Sequence, residues 1–555
     1  MSDQLKVYID NIGRYVDFTG GETLLDVLAR VKDEIGFTPI CAHVNNKTED
    51  LRFPLFSPKK VEYLPIDSSS GQRVYVRSLC MMLYKAVSEA FPGARLSVEH
   101  SISQGYYCRL HGVDVTPEVV DRLKRHMQNL AARDITFERK ERLTVDVKEM
   151  FRSQGLDDKV LLLDTLHNLY TTYYRLDGLL DSYYGALAPS TGLLKAFDLQ
   201  LYHEGMLLLA FDPADHSKPR TSVTQEKMYR AFTDHLAFNR VIGVKNVGEL
   251  NRAVSEGCSA DLINVAEALH AKKISSIADD ITMRFARGGA KIVLIAGPSS
   301  SGKTTTTKRL ATYLITNLLR PQMISLDDYF IDRVNTPRDE KGDYDYESLY
   351  ALDLKLFNEH LNALCNGEEV EIPSYNFETG QRRFKGNKLR LDDNSVLLIE
   401  GIHGLNPELT ASVPEEMKYR VYVSALTTLS IDDHNWVPTT DNRLLRRIIR
   451  DHKYRGTSAI ETLRRWASVR RGEERWIFPY QENADAMFNS SLIFELGVMK
   501  DYGEAILREV PHDVPEYAEA YRLTKFLSYF DPIGDKLIPP TSLLREFLGG
   551  SSFNY

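Results

Sequence analysis

The chain has 555 residues, a formal net charge of -8 at pH 7, 43% hydrophobic and 26% charged residues. That length exceeds what one hydrophobic core supports and predicts several globular domains. The net negative charge disfavours nucleic acid as the main partner. Five scattered cysteines without a Cys-x-x-Cys pair argue against a disulfide framework or a zinc knuckle. Without a signal-like start or an apolar run of ~20 residues, we expect a cytoplasmic protein that makes no membrane contact.

The first 67 residues have the pattern of a small α+β unit. LKVYI and YVDF read as short strands on either side of a turn, and the next segment has apolar residues at helical spacing, from Leu24 to Val31. The polar run from Asp67 to Gly71 is typical of a boundary.

Residues 68–225 form a second predicted unit. It opens with a helix that stops at Pro92, continues with a hairpin in SVEHSISQGYYCRL, and then has an amphipathic helix with Pro117 in its first turn. Residues 215–222 read as a linker. Beyond it we expect a helical connector (226–288), a third domain (289–500) and a helical extension (501–555).

The strongest motif follows a buried apolar run, Ile292–Ala296. The next residues fit G-x-x-x-x-G-K-[ST], and a helical segment comes after them, which is the strand–loop–helix order of a phosphate-binding loop. Such a loop turns its backbone N–H groups toward phosphate oxygens, with the lysine at the β/γ-phosphates and the threonine hydroxyl on Mg²⁺. We therefore expect a nucleoside triphosphate and Mg²⁺ to bind at Gly297, Pro298, Ser299, Ser300, Ser301, Gly302, Lys303, Thr304 and Thr305.

Two later segments read as parallel strands with acids at their carboxyl ends. QMISLDDYF carries Asp327, and SVLLIEG carries Glu400. Strand ends of one parallel sheet lie beside the phosphate loop, so Asp327 is expected to accept a proton from an acceptor hydroxyl and to help orient Mg²⁺, and Glu400 to be a further magnesium-associated acid. The alternative for Asp327 is an Asx turn after a strand. The absence of Asn-Lys-x-Asp argues against a switch GTPase.

A basic helix is predicted at residues 441–456. Arg443, Arg447 and Arg450 share one face, and Arg455 follows in the next turn. Guanidinium groups in this position would stabilise a transferring phosphoryl group. Taken alone, the helix is better explained as a solvated face or a nucleic-acid patch; after a phosphate loop and two strands that end in acids, a kinase lid is favoured.

Residues 291–497 resemble the uridine kinase and phosphoribulokinase family, through GPSSSGKT, SLDDYF, YDYESLYALD, IPSYNF, LIEG and RLLRRIIRD. The resemblance implies a P-loop kinase that uses ATP and Mg²⁺, with Asp327 as general base and Glu400 near the metal. It also implies catalytic roles for Lys303, Arg450 and Arg455, and acceptor binding by Asp345, Tyr375, Phe377 and Arg447.

The chain departs from the uridine–cytidine kinase pattern at two positions. Gly380 stands where a histidine is usual after the "YDF" segment, and Arg465 aligns with a glutamine that reads the base. The phosphoryl-transfer residues are intact, so these changes bear on which acceptor is chosen. A nucleoside kinase is the main hypothesis; a kinase of a sugar or sugar phosphate, or an RNA-associated ATPase regulator, are the alternatives.

The N-terminal half resembles threonyl-tRNA synthetase. Residues 1–66 are similar to its TGS domain, a β-grasp unit, and residues 72–212 to its second additional domain, which edits mischarged tRNA, through SLCMMLYKAVSEAFP and DSYYGALAPST. The editing ligands correspond here to Arg77, Met81, Tyr183 and Leu187. None is a histidine or cysteine, so we predict a dead editing site, and we take His100 and His203 as ordinary structural histidines.

These patterns together predict a multidomain α/β protein. Its C-terminal part is expected to be a P-loop parallel sheet flanked by helices, and its N-terminal part a β-grasp unit followed by an α+β domain. The expected partner is a small-molecule nucleoside or sugar-like substrate. RNA binding through the N-terminal half is open but not expected, and homo-oligomerisation is also left open.

Overall fold

A computed structural model describes residues 5–340 and 342–555. Its first unit is a five-stranded sheet in the order β2-β1-β5-β3-β4, with one helix packed on it. Thr23 and Asp26 form a capping box that begins the helix, and Gly36 ends it in a left-handed conformation. The elements are β1 Leu5–Ile9, β2 Arg14–Phe18, α1 Leu24–Ile35, β3 Cys41–Val44, β4 Lys47–Glu49 and β5 Lys60–Leu64.

The second unit contains two antiparallel sheets, β11-β12-β7-β6 and β10-β9-β8. Its first helix is almost entirely buried and lies at the centre of this unit's core. The helices are α2 Ser69–Ala90, α3 Pro117–Ala132, α4 Thr144–Ser153 and α5 Asp157–Thr165. The strands are β6 Arg95–Ile102, β7 Gly105–His111, β8 Phe137–Leu143, β9 Tyr170–Leu176, β10 Leu179–Asp181, β11 Asp198–Tyr202 and β12 Gly205–Leu209.

Three helices then lead to the phosphate-loop segment. They are α6 Glu226–Ile242, α7 Val247–Ser255 and α8 Ser259–Ala286. Apolar residues of α8 share one core with the next sheet and with the helices that follow it. The connector and the C-terminal helices therefore pack as part of the same body as the kinase-like sheet.

That sheet is fully parallel, in the order β14-β17-β13-β18-β21. Along β13, Val293 and Ile295 enter one core while Ile292 and Leu294 enter the other, because successive side chains of a strand point to opposite faces. The strands are β13 Ile292–Ala296, β14 Arg320–Ser325, β17 Ser395–Glu400, β18 Lys418–Ser424 and β21 Ala486–Asn489.

Helices cover both faces of the sheet, and two hairpins extend from it. The hairpins are β15 Val370–Asn376 with β16 Gln381–Leu389, and β19 Ser430–Asp432 with β20 Asn435–Trp436. The helices are α9 Lys303–Thr316, α10 Leu354–Cys365, α11 Thr439–Arg455, α12 Ala459–Trp476, α13 Glu495–Leu507, α14 Tyr517–Leu527 and α15 Arg545–Leu548. The multidomain α/β class predicted from the sequence is confirmed.

A buried polar cluster joins the second unit to the β19–β20 hairpin. Lys159 forms ion pairs with Asp181 of its own unit (2.9 Å) and with Asp432 of the hairpin (2.8 Å), and His434 contacts Asp181 at 2.8 Å. All four side chains are at most 3% exposed. Buried charges need such mutual partners, so the two units are held in a defined relative position.

Candidate functional site

The phosphate loop connects β13 to α9 as the sequence predicts. Two glycines have conformations or surroundings that other residues would not tolerate. At Gly297 a Cβ would lie 2.0 Å from the Val423 carbonyl oxygen of the neighbouring strand, and Gly302 has φ +85° at the start of α9. The loop thus turns sharply from the strand into the helix.

The first turn of α9 presents backbone donors to the end of the sheet. The Thr306 N–H is already bonded to the Gly302 carbonyl at 3.0 Å, whereas the N–H groups of Lys303, Thr304 and Thr305 precede the first intrahelical bonds. Together with the helix dipole, such groups form an anion site. The Lys303 ammonium lies over the loop and donates to the Pro298 carbonyl at 3.3 Å.

A buried ion pair holds the loop from behind. The Glu473 side chain accepts from the Ser299 N–H at 3.1 Å, and Arg443 donates both to Glu473 (2.8 Å) and to the Ser299 carbonyl (3.1 Å). Glu473 and Arg443 are 0% and 1% exposed. Burial opposes ionisation of Glu473, but the charges of Arg443 and Arg470 outweigh it and lower the pKa of this carboxyl group.

A second ion pair of the same kind lies one turn along α11. Arg446 pairs with Glu495 at 2.5 Å and donates to the carbonyls of Ser490 (2.9 Å) and Ser300 (3.4 Å). Arg443 and Arg446 are therefore loop supports buried in the core. The sequence predicts Arg443 on the same helix face as Arg447 and Arg450, which are expected to face the phosphoryl group. Only the tertiary packing shows that the Arg443 guanidinium is buried behind the loop.

Glu400 ends β17 directly beside the loop. The Thr304 hydroxyl lies 3.1 Å from each carboxylate oxygen of Glu400. Burial, opposed by the nearby Lys303 charge, raises the pKa of Glu400 to about 7. The Thr304 hydroxyl and the Glu400 carboxylate are hard oxygen ligands of the kind that Mg²⁺ prefers, and Lys303 balances the charge of Glu400 only in part.

Asp327 follows β14, the strand that pairs with β17. The Asp327 side chain is open to solvent on one side, and the cleft walls surround it on the others. The resulting desolvation raises the pKa of Asp327, although the positive charges of Lys303, Arg455 and Arg450 act to lower it. The structure thus brings Asp327, Lys303 and Glu400 to one edge of the sheet, as expected from the parallel strand order.

Three arginines of α11 converge on one buried carboxylate, Asp451. Arg450 contacts it at 2.7 Å, Arg447 at 3.3 Å and Arg455 at 3.5 Å, and Arg447 also donates to the Ser299 hydroxyl at 2.8 Å. Arg447, assigned to acceptor binding by resemblance, therefore lies against the phosphate loop in this structure. Arg450 and Arg455 lie within electrostatic reach of Asp327.

Aromatic rings gather at the turn end of the β15–β16 hairpin. The Tyr375 and Phe377 ring centroids are 5.1 Å apart, and Phe330 lies 5.5 Å from Tyr375. Phe377 is 55% exposed, whereas Tyr375 is buried. The Asp328 carboxylate accepts from the Tyr375 N–H at 3.2 Å and ties the hairpin to the end of β14. Such ring faces can stack on a planar base.

The segment that carries Asp345 places a second acid in the cleft. The Asp345 carboxylate accepts from the Glu347 N–H at 3.2 Å, an Asx-type turn within its own loop. Glu347 packs against Gly472 of α12: a Cβ on Gly472 would lie 2.2 Å from the Glu347 Cβ. Burial next to Glu473, offset by Arg447 and Lys303, raises the pKa of Glu347 to about 7. Sequence reasoning did not single out Glu347, although it lies in the matched motif.

The two departures from the family pattern have different surroundings. Gly380 has φ +69°, and a Cβ there would lie 2.7 Å from the Arg333 side chain, so a histidine would not fit without movement of Arg333. The Arg333 Nε is buried and has no hydrogen-bond partner among the described residues, and its guanidinium donates to the Phe377 carbonyl. Arg465 lies exposed on α12.

The positions of the editing ligands are filled by packed side chains. Met81 and Leu187 are completely buried, Arg77 donates to the Ala186 carbonyl at 3.1 Å and stacks over Tyr184, and Tyr183 is also buried. A Cβ on Gly185 would lie 2.6 Å from the Arg77 guanidinium, so this pocket has no free volume at that point.

Within residues 5–340 and 342–555, no three or more His, Cys, Asp or Glu side chains are grouped so that they could hold a metal ion by themselves. In the same described part of the chain, no helix is both long and apolar enough to cross a membrane.

Comparison with known proteins divides the chain into two regions. Residues 292–493 match the model of the Phosphoribulokinase / Uridine kinase family. The uridine kinase of Halobacterium salinarum is 28% identical over 192 residues, which are 34% of this chain and 76% of that protein. The chain therefore contains a domain of this kinase family, as predicted.

The N-terminal half is similar to threonine–tRNA ligases. The ligase of Desulforamulus reducens is 29% identical over 192 residues, which are 34% of this chain and 30% of that protein. This chain covers 29–37% of the length of the first three ligases it matches.

Among solved structures, D-glycerate 3-kinase from Cryptococcus neoformans aligns with 45% of this chain and 87% of its own, at 14% identity and a TM-score of 0.21.

Proposed function

We propose that this protein, whose residues 292–493 form a phosphoribulokinase/uridine kinase family domain, transfers the γ-phosphoryl group of ATP to the 5′-hydroxyl of a nucleoside. One observation carries the proposal: two carboxylates, Asp327 and Glu400, end adjacent parallel strands beside Lys303 and Thr304 of the loop. A phosphate loop alone fits any NTPase, whereas an acid at Asp327 that faces an arginine-lined cleft suits an acceptor hydroxyl.

In the proposed reaction, Asp327 orients the acceptor hydroxyl and takes its proton as the oxygen attacks the γ-phosphorus. The bond to the β-phosphate oxygen breaks in line, and ADP leaves. Lys303, Arg450 and Arg455 would stabilise the charge spread over the transferring group, and the contacts of both arginines with Asp451 would hold them in position.

Thr304 and Glu400 would hold Mg²⁺, with Asp327 helping to orient it. The bound cation would neutralise negative charge on the β- and γ-phosphate oxygens. Its charge would also favour the ionised form of Glu400, whose pKa of about 7 in this structure reflects burial without a full countercharge.

The aromatic cluster supports a nucleoside as the acceptor. Phe377 offers an exposed ring beside Tyr375, and the Asp345–Glu347 loop supplies carboxylates suited to a ribose diol. Arg333 occupies the space next to Gly380 and offers N–H donors to an oxygen of the base. A sugar or sugar phosphate remains the second candidate, because the same guanidinium would also suit a phosphate.

Arg333→Ala is expected to raise the KM for the acceptor about tenfold or more, since a hydrogen bond to a charged donor contributes ~1.5–3 kcal/mol. The KM for ATP should stay unchanged, because Arg333 lies on the hairpin side of the cleft. Steady-state kinetics with each substrate varied in turn measures both. Arg383→Ala, which removes an exposed arginine of the β15–β16 hairpin, is the control; equal effects of the two variants would remove Arg333 from acceptor binding.

The proposed function is tested by ADP release with Mg·ATP against a panel of nucleosides, sugars and sugar phosphates. Strong stimulation by a nucleoside is the expected result. Stimulation by sugar compounds alone would replace the nucleoside with the second candidate. Slow hydrolysis that no acceptor stimulates, with salt-sensitive RNA binding by the protein, would favour the RNA-associated regulator.

We further propose domain limits at residues 1–67, 68–225, 226–288, 289–500 and 501–555, with TGS-like and editing-like units in the first two. The packed side chains of Arg77 and Leu187 support an editing-like unit that has no editing activity. All five cysteines are unpaired among the described residues, which suits work in the reducing cytoplasm.

A further inference from the structure

A segment far along the chain, residues 543–555, lies directly on the phosphate loop. A Cβ on Gly302 would be 2.7 Å from the Leu543 side chain, so the loop and this segment are in tight contact. Buried apolar side chains anchor the segment in the core beneath the loop: Leu543, Leu544, Phe547 and Leu548. Phe547 also packs under the Arg446 guanidinium, 5.1 Å from its ring centroid.

From this anchored position, Glu546 reaches the first turn of α9. One Glu546 carboxylate oxygen accepts from the Thr305 N–H at 3.2 Å and from the Thr305 hydroxyl at 2.6 Å. The Tyr555 hydroxyl lies 2.8 Å from the same Thr305 hydroxyl. Lys308, one turn later, donates to the Asn554 carbonyl and lies 5.2 Å from the Tyr555 ring centroid. The backbone N–H and the side-chain hydroxyl of Thr305 are therefore both hydrogen-bonded to the segment.

The Thr305 N–H belongs to the donors that a phosphate loop directs toward the α- and β-phosphates. An amide has one hydrogen to donate, so a carboxylate oxygen and a phosphate oxygen compete for it. Their like charges also repel each other at such a distance. The negative charge of Glu546 also repels that of Glu400 and is one of the causes that raise the pKa of the Glu400 carboxyl group.

We propose that segment 543–555 is an internal competitor of the nucleotide: when docked, Glu546 fills the anion site at Thr305, and it must leave for the phosphates to bind fully. The inference rests on the proposed nucleotide site at residues 297–305. The segment also contacts α11, where Lys453 donates to the Leu548 carbonyl. Its release would therefore also break a contact with the helix that carries the arginines.

The first test is the affinity of the full chain for a non-hydrolysable ATP analogue with Mg²⁺, measured by titration calorimetry without any acceptor. Glu546→Gln keeps the shape of the side chain but removes its charge, and should bind the analogue roughly tenfold more tightly than the native chain. Glu368→Gln makes the same chemical change at an exposed position and should bind like the native chain.

The second test uses the unaltered protein. In hydrogen exchange, saturating nucleotide should speed exchange of the amides of residues 545–552, because the segment is displaced. Slower exchange there, or weaker binding by Glu546→Gln, would overturn the inference and make the segment a part of the nucleotide site. Native-like affinity of Glu546→Gln would also overturn it. If neither the native chain nor a variant binds the analogue, the nucleotide site and the inference fall together, whereas binding without acceptor-dependent turnover would contradict only the proposed function.

Discussion

Asp327→Asn is expected to lower kcat by a factor of about 10²–10⁴, the usual contribution of a positioned general base. The amide keeps the size of the side chain but can neither take the acceptor proton nor interact as an anion with Arg450 and Arg455. Nucleotide binding should persist, because the loop N–H groups and Lys303 provide it. ADP-release kinetics at saturating acceptor, with a separate titration of the ATP analogue, measures both quantities.

Asp393→Asn is the matched control for this experiment. Asp393 is exposed in the loop before β17, at the end of the sheet opposite to the cleft. Turnover of this variant should equal that of the native chain. If Asp327→Asn also turned over at a near-native rate, Asp327 would not be the base, and Glu347 would become the next residue to test.

Glu473→Gln is expected to lower the free energy of unfolding of the kinase-like part by about 3–5 kcal/mol, because it leaves the Arg443 guanidinium buried without its countercharge. The same variant weakens the acceptor for the Ser299 N–H, so nucleotide affinity should fall as well. Urea denaturation followed by intrinsic fluorescence, with the analogue titration, tests the two effects.

The neighbouring residue gives a close comparison. Glu474 is 64% exposed and pairs with Arg470 at the surface, and such pairs contribute less than ~1 kcal/mol. Glu474→Gln should therefore unfold almost like the native chain. Equal stability of the two variants would mean that the Arg443–Glu473 pair does not support the loop.

The phosphate loop and its flanking acids follow from local sequence patterns. A buried strand, a glycine-rich turn and a helix are contiguous. Gly302 has a positive φ, and at Gly297 the Val423 carbonyl leaves no room for a Cβ. The parallel order of β14, β17 and β13 then places Asp327 and Glu400 at one edge. For these residues, sequence position alone predicts spatial position, because strand ends in a parallel sheet coincide.

Local contacts at two of the residues predicted to bind the acceptor, Asp345 and Arg447, could not be read from the sequence. The resemblance pointed to Asp345, whose carboxylate accepts a hydrogen bond within its own loop, and the structure adds Glu347 of the same loop, near Arg447 and Lys303. Arg447, expected at the acceptor, lies on Ser299. In each case a neighbouring polar group competes for the side chain, and spacing along the sequence cannot rank such competitors.

The sequence by itself determined the strand–loop–helix motif and the acids at the strand ends, because each depends on residue identity at short range. Only the tertiary structure decided which arginines of α11 are core supports and which face the cleft. It alone placed Glu546 on Thr305, across 241 positions of the chain. Such contacts are set by how separate helices pack around one core, and no local pattern encodes that packing.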